Sequence, residues 1–405
     1  MVSSSQQISP AATAPKIAVV GGGLGGLTLA SILQNEYSIP CTVFELDDSA
    51  GSRSQGGSLD LHAESGQYAL TKAGLFNEFL KHARYEGQDT KIADKTAEIL
   101  LYHSSGEVEG DMDRPEIDRT ILRQMLIDSL ADGVVQWGKK VIELKENSED
   151  NSKQGHTVVF QDGSSGTFDL VVGADGAWSK IRKIVSDAIP VYTGVSMVEV
   201  CLANADIDHP AASKLVGNGS LYALNNNKAL MCQRNGDGSI RIYISMRIPE
   251  NGFSHLDFTD TESVRQHFLE QFSDWDDSLT NLIKDCLPSF TPRGIYMLPT
   301  DHQWKHHKGI TLIGDAAHLM TPFAGEGANM AMLDGANLAA AIAEAVNNGK
   351  DFASSIESFE KEMFALANVH ATESASNLDM FMAEDAPTGM VNFFKKVLAG
   401  GPPPS

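Results

Sequence analysis

The stretch KIAVVGGGLGGLTLASILQ, residues 16–34, constrains the fold more than any other part of the chain. A short β-branched run breaks into glycines, and the apolar residues that follow recur at helical spacing. CTVFEL, residues 41–46, supplies a second buried strand, so the opening is a βαβ unit. Gly21, Gly23 and Gly26 fit G-x-G-x-x-G between strand and helix. The first glycine permits a tight turn, the second lets a pyrophosphate approach the backbone, and the third lets helix and strand pack closely. The helix N-terminus then offers free N–H groups to the anion. Glu45 ends the second strand 45 − 26 = 19 residues after the last glycine, where an acid accepts hydrogen bonds from an adenosine ribose and repels a 2′-phosphate. The loop suits FAD or NAD as its own ligand. The alternatives are a glycine turn without a ligand and, for Glu45, a solvated acid.

A chain of 405 residues, 42% hydrophobic and 21% charged, can bury a large core in two or three domains. Its 31 Lys and Arg against 53 Asp and Glu give a net charge of −22, which repels phosphate backbones and anionic bilayers and argues against nucleic-acid or membrane-surface partners. Residues 1–15 lack the basic start and apolar run of a signal peptide, and no window reaches the ~18 apolar residues of a membrane span. A cytoplasmic protein is expected. Cys41, Cys201, Cys232 and Cys286 form no C-x-x-C pair and sit in apolar segments, as reduced, buried residues would. The Ser, Gln, Ala and Pro of 1–14 and the GGPPPS end, with 399–405 set aside, predict disordered tails.

Further elements follow from periodicity. Residues 115–131 predict a helix carrying Arg119 and Arg123 near its start, 141–176 a β-meander, and 191–250 a separate sheet with Asn/Gly turns. A helical segment follows with Thr261 as its cap, then a buried strand and an Ala-rich helix over about residues 327–346.

A nucleotide-binding unit alone does not separate a dehydrogenase from a flavoenzyme; GITLIGDAAHLMTPFAGEGANMAM does. A buried strand ends in Gly314 and Asp315, a Pro-x-x-Gly-x-Gly loop runs through Pro322, Gly325 and Gly327, and a helix opens near Ala328 and Asn329. A carboxylate at the strand end can hold a ribityl chain. The helix N-terminus can point its positive end at the flavin edge that becomes anionic on reduction.

With these motifs in place the chain resembles the group A flavoprotein monooxygenases, the p-hydroxybenzoate hydroxylase family, over nearly its whole ordered length. The likeness rests on GGGLGG with Glu45, on Asp175 and Gly176 in VVGADGAWSKIRK, and on Gly314 and Asp315. Within the family it is similar to the tetracycline-inactivating enzymes, through RSQGGSLDLH, PEIDRTILRQML, FSDWD and GDAAHLMTPFAGEGAN. The resemblance implies an α/β fold: a Rossmann-type FAD-binding domain assembled from 15–72, 104–182 and 290–335, a β-sheet substrate domain from 73–103 and 183–289, and C-terminal helices over 336–398. It implies that Arg53 contacts a nicotinamide cofactor, Asp60 and Arg119 the FAD, and Asp315 the ribityl or pyrophosphate region. An arginine fork suits a diphosphate, although surface ion pairs for Arg53 and Arg119 and a turn acid for Asp60 are the alternatives. Two features depart from those relatives. Leu46 stands where they carry arginine, and their two tetracycline-gripping residues fall at Asn204 and Ser220. Another substrate or another pose is therefore expected.

The mechanism implied is reduction of FAD by NADPH or NADH, O2 addition at the flavin C4a position, and oxygen delivery from the hydroperoxide to an aromatic or polyketide-like substrate. No side chain is assigned as catalytic. The protein would be a monomer or weak homo-oligomer. Alternatives on the same fold are an oxidase or reductase, and a non-catalytic FAD- or ligand-binding protein. A halogenase would need a W-x-W pair, absent around Trp137, Trp178, Trp275 and Trp304. His302, His306 and His307 lack carboxylates or thiols at ligand spacing, so a solvated loop rather than a metal site is expected. His62 and His318 pack or hydrogen-bond near the flavin, or move protons there. The Met-rich segment DMFMAEDAPTGMVNFFKKVL is core packing or a helix closing the substrate cavity.

Overall fold

The computed structural model describes residues 15–52, 56–104, 114–146 and 155–398. The βαβ opening is Ile17–Val20, Leu24–Asn35 and Cys41–Phe44. Its first strand lies at the centre of a five-stranded parallel sheet, ordered Ile310–Leu312, Leu170–Gly173, Ile17–Val20, Cys41–Phe44 and Val135–Gln136. These strands are short apolar runs because both faces are covered, as buried parallel sheets require. Their C-terminal ends bring Gly21, Ala174 and Ile313 to one edge, where open α/β sheets bind ligands.

The helix Leu24–Asn35 packs on the helix Glu326–Asn348, three hundred residues later in sequence by order of magnitude. The contact is backbone to backbone: a Cβ on Gly25 would lie 2.8 Å from the Ala331 carbonyl oxygen, and one on Gly335 2.8 Å from that of Gly25.

The second sheet has seven strands, ordered Thr291–Met297, Val191–Leu202, Ile240–Arg247, Lys228–Arg234, Ser220–Asn225, Thr90–Ala93 and Ile99–His103. Alternation divides its residues. Val198, Val200, Ile242 and Ile244 face helices Thr261–Gln271 and Asp277–Lys284, whereas Met197, Met231 and Tyr243 face the other way, toward the nucleotide-binding sheet and the helices Phe352–Phe381 and Thr388–Leu398.

Several expectations change. Residues 116–118 are a strand, Glu116–Asp118, and only Arg119–Asp128 is helical, because Ser58–Asp60 offers a pairing partner that overrides local propensity. The segment after 260 is two helices, capped by Asp260 and Asp276 rather than by Thr261. Thr291–Met297, grouped by sequence with the nucleotide-binding segments, hydrogen-bonds to Val191–Leu202 in the large sheet. Cys41 and Cys201 are only half-buried, while Cys232 and Cys286 are buried; all four are free thiols. Among the described residues no helix is long and apolar enough to cross a membrane.

Candidate functional site

Between the two sheets lies one cavity of about 1500 Å³. Small-molecule pockets usually hold roughly 300–1,000 Å³, so this space can take a dinucleotide and a second ligand together.

One end is made largely of backbone. Gly21 has φ +114°, and a Cβ there would stand 2.1 Å from the Ala174 carbonyl oxygen; a Cβ on Gly26 would stand 2.2 Å from that of Gly21. Those two glycines exist for packing. Gly23 differs: it caps the first helix, lines the cavity and has nothing within 4 Å of where its Cβ would be. It is a cradle that a side chain would fill, as a pyrophosphate site requires. Across the cavity Gly327 is equally open, just inside the helix Glu326–Asn348, whose N-cap Gly325 takes φ +71°. The first-turn N–H groups of that 23-residue helix lie at the cavity wall. Pro322, Gly325 and Ala328 line the wall with it.

Asp60, Arg119, Gly314 and Asp315 also line the cavity. Asp315 is open to the cavity but enclosed with it by protein, and this desolvation pushes its carboxyl above the usual range against the pull of His318, Arg119 and Arg182. Gly314 donates its N–H to Asp334 (2.8 Å), which also pairs with His318 Nε2 at 2.6 Å. His318 thus buttresses the strand end.

Three sequence-predicted residues sit differently. Glu45 is 4% exposed and outside the cavity lining; its carboxylate accepts from the Gly22 N–H at 2.6 Å and the Asp47 N–H at 3.0 Å, bracing the glycine loop. Asp175 turns away from the cavity that Ala174, Gly176 and Trp178 line. Its carboxylate accepts from Ser179 Oγ at 2.5 Å and the Lys180 N–H at 2.7 Å, and burial raises its pKa. Asn329 is fully buried: its Oδ1 accepts from the N–H groups of His62 and Gly66, and its Nδ2 donates to the Asp60 carbonyl at 2.8 Å. Both Asp175 and Asn329 organise loops instead of facing a ligand. Arg53 lies outside the described residues.

Other residues were not legible as functional. Arg182, 2% exposed, donates to the carbonyls of Ala177, Asp315 and Ala316, tying the Asp175 loop to the Asp315 loop. Arg123 donates to the carbonyls of Gly22 and Ala50. Their only signal was a cation following each motif. Glu116 lines the cavity beside Arg84 and Gln233; burial, only partly opposed by both, raises its carboxyl to about 7.

The other end of the cavity is made of side chains. Met197, Tyr222, Met231 and Tyr243 rise from the large sheet, and Phe323, Phe381, Phe393 and Phe394 close over them. Phe381 meets Tyr222 and Phe323 edge-on at 5.4 and 5.2 Å. Burial pushes the Tyr222 hydroxyl up to about 12 and that of Tyr243 in the same direction, so both phenols remain neutral donors. Glu199 and Arg293 add an ion pair at 2.9 Å on this wall. Ser220 lines the cavity whereas Asn204, in the left-handed region, does not. The Met-rich segment serves both expected roles: Met382 and Met390 are core, and Phe393 and Phe394 roof the cavity. Trp178, 63% exposed, stands at the rim against Tyr296.

The histidine cluster is no solvated loop. His302 bonds Ser186 and the Ala317 carbonyl, His306 pairs with buried Glu360 at 2.7 Å, and His307 with Glu146 at 2.8 Å. Among the described residues no group of His, Cys, Asp or Glu is placed to hold a metal.

Comparison with known proteins agrees with this geometry. A family model described as an FAD binding domain matches residues 15–373. Monooxygenase asqM of Emericella nidulans is 32% identical over 372 residues, spanning 80% of this chain and 83% of that protein. In fold, HpxO of Klebsiella pneumoniae, solved with FAD and uric acid, superposes with a TM-score of 0.76 at 20% identity, over 96% of this chain and 93% of its own. Tetracycline destructase Tet(51) superposes with a TM-score of 0.68 at 19% identity, over 93% and 94%.

Proposed function

The chain belongs to the group A FAD-dependent monooxygenases, with their p-hydroxybenzoate hydroxylase-like fold, and from that premise we propose that it uses NADPH or NADH and O2 to hydroxylate an aromatic or polyketide-like small molecule. The observation that carries this reading is the continuity of one cavity from a glycine-built end to an end lined by methionine and aromatic side chains.

When bound, FAD would supply the redox chemistry and the activation of O2. The chain's residues bind and orient. Gly23 and the first helix N-terminus would receive the pyrophosphate, with Gly21 and Gly26 keeping the turn close-packed beneath it, and Arg119 would offer it a fork of donors. Glu45 and Arg123 hold that loop in shape. Asp315, and Asp60 from the facing strand, hold the ribityl chain. The Gly325–Ala328 turn presents N–H groups to the flavin edge that gains negative charge, where fixed dipoles are worth more than water. Gly314, Pro322, Gly327 and Ala328 shape that wall. Asp175 and Asn329 act through the loops they fix, and Arg53 is assigned by resemblance to the nicotinamide cofactor.

The aromatic end excludes water and holds planar rings, with Tyr222 and Tyr243 as neutral donors to a carbonyl or hydroxyl. A tetracycline is one candidate ring system, although only Ser220 of the two positions compared for its grip reaches the cavity.

The test is oxidation of NADPH and NADH with and without a panel of phenols, anthraquinones and tetracyclines, with products weighed by mass spectrometry. Ligand-stimulated oxidation with gain of one oxygen atom is expected. Reductant use that yields only peroxide favours the oxidase, and no reductant use favours a binding protein.

A further inference from the structure

We propose that Asp60, His62, Glu326 and His370 form a proton relay joining the flavin end of the cavity to the outer surface of the helix Phe352–Phe381. The inference rests on the monooxygenase reading. That reaction takes substrate C–H, O2, NAD(P)H and one proton to C–OH, NAD(P)+ and water, so each turnover draws one proton from solvent. With flavin and substrate filling the cavity, water is excluded from the place where the proton is used.

The four side chains run in one line. Asp60 is 38% exposed, to the cavity it lines beside Gly325, and its Oδ2 is 3.0 Å from His62 Nε2. His62 is 1% exposed, and its other nitrogen, Nδ1, is 3.3 Å from Glu326 Oε1. Glu326 is 11% exposed, and the same oxygen is 3.5 Å from Nδ1 of His370, which is 22% exposed. The open groups are thus the two ends, and the enclosed groups are the two in the middle.

A histidine kept for packing is expected to spend both nitrogens on aligned hydrogen bonds. His62 does so only at Nε2; neither its Nδ1 nor that of His370 makes an aligned hydrogen bond, although both stand within ion-pair distance of Glu326. Small rotations at Glu326 close either link. The imidazolium releases its Nε2 proton to Asp60, and the neutral ring then takes one at Nδ1 from protonated Glu326, so that only N–H and O–H bonds break and form. His370 reloads Glu326 from solvent. Burial pulls the His62 pKa down, but the hydrogen bond to Asp60 and the nearby Glu326 carboxylate raise it to about 9 against the opposing charge of Arg114, so the ring is loaded at neutral pH. Asp60 on its strand, Arg114, Glu326 on its helix and His370 behind Glu326 are the charged groups facing this ring.

Two measurements test the relay. In histidine-labelled protein followed by NMR against pH, His62 is expected to titrate near pH 9 with a response to His370 ionisation, and Glu326→Gln to lower the former and abolish the latter. In turnover, His370→Ala, outside the cavity lining, is expected to keep its FAD and lose roughly tenfold in rate as pH rises, with added imidazole restoring it. Independent titrations, or a His370→Ala enzyme with the wild-type pH profile or a loss that imidazole does not mend, overturn the relay. A wild-type protein that oxygenates nothing overturns the monooxygenase reading instead, and the NMR titrations then decide the relay separately.

Discussion

The two ends of the cavity are built from different materials. The glycine-built end, proposed for the flavin, is backbone: glycine turns, strand ends and two helix N-termini, with carboxylates and buried arginines holding loops in place. The aromatic end, proposed for the substrate, is side chain: methionine, tyrosine and phenylalanine projected from a sheet and two helices. Backbone positions are over-determined, because each carbonyl and N–H must be paired, whereas ring-lined walls can be re-lined without disturbing the sheet beneath. Changes at the first end should therefore cost cofactor or fold, and changes at the second should cost only substrate.

The largest expected effect is Gly21→Ala. Its Cβ would meet a backbone carbonyl at 2.1 Å and its φ is +114°, so a loss of about 4 kcal/mol or more in denaturant unfolding is predicted. Gly23→Ala, two residues on, meets open space and should fold normally while weakening FAD roughly tenfold. Equal behaviour of the two variants would break the distinction between packing glycines and cradle glycines.

Arg182→Met strands the carbonyls of Ala177, Asp315 and Ala316. A loss of about 3 kcal/mol is expected, together with lower flavin content, since it loosens both loops at that end.

Glu116 gives a pH effect at the junction of the ends. Unfolded it ionises near 4.5, but in the fold burial, opposed in part by Arg84 and Gln233, holds it protonated to about 7. The folded state keeps a proton that the unfolded chain has lost, so this group's contribution falls as pH rises from 4.5 through 7 and is constant above. Its size is up to about 3 kcal/mol. Glu116→Gln should flatten the decline in urea stability between those values; an unchanged slope would remove the assignment.

The smallest effect is at the substrate end. Phe394→Ala should leave flavin content and stability near wild type and raise the KM for an accepted substrate several-fold, a change of about 1–2 kcal/mol. Lost flavin in this variant would mean that the ends are not separable.

This division also explains what was legible in the sequence. Gly21, Gly26, Gly314 and Gly325 stand where only glycine satisfies the backbone, and Gly23, Gly327 and Asp315 where a ligand would need room or a carboxylate, so motif spacing singles them out. Asp175 and Asn329 belong to the same motifs but turn inward, because spacing fixes where a residue is and not where its side chain is aimed. Glu116 was read as helical because its strand exists only through pairing with Ser58–Asp60. The substrate wall draws on strands and helices far apart in sequence, and no local pattern distinguishes a ring facing the cavity from one in the core. Phe381, which does both, is the clearest example.

The most direct measurement is the flavin content of the purified protein, read from its visible spectrum and from the nucleotide released on denaturation, beside the same values for Asp315→Ala. One FAD per chain in the wild type and a largely colourless variant are predicted. A wild-type protein that neither carries FAD nor takes it up, or a variant as yellow as its parent, would contradict the assignment of this cavity and of Asp315 within it.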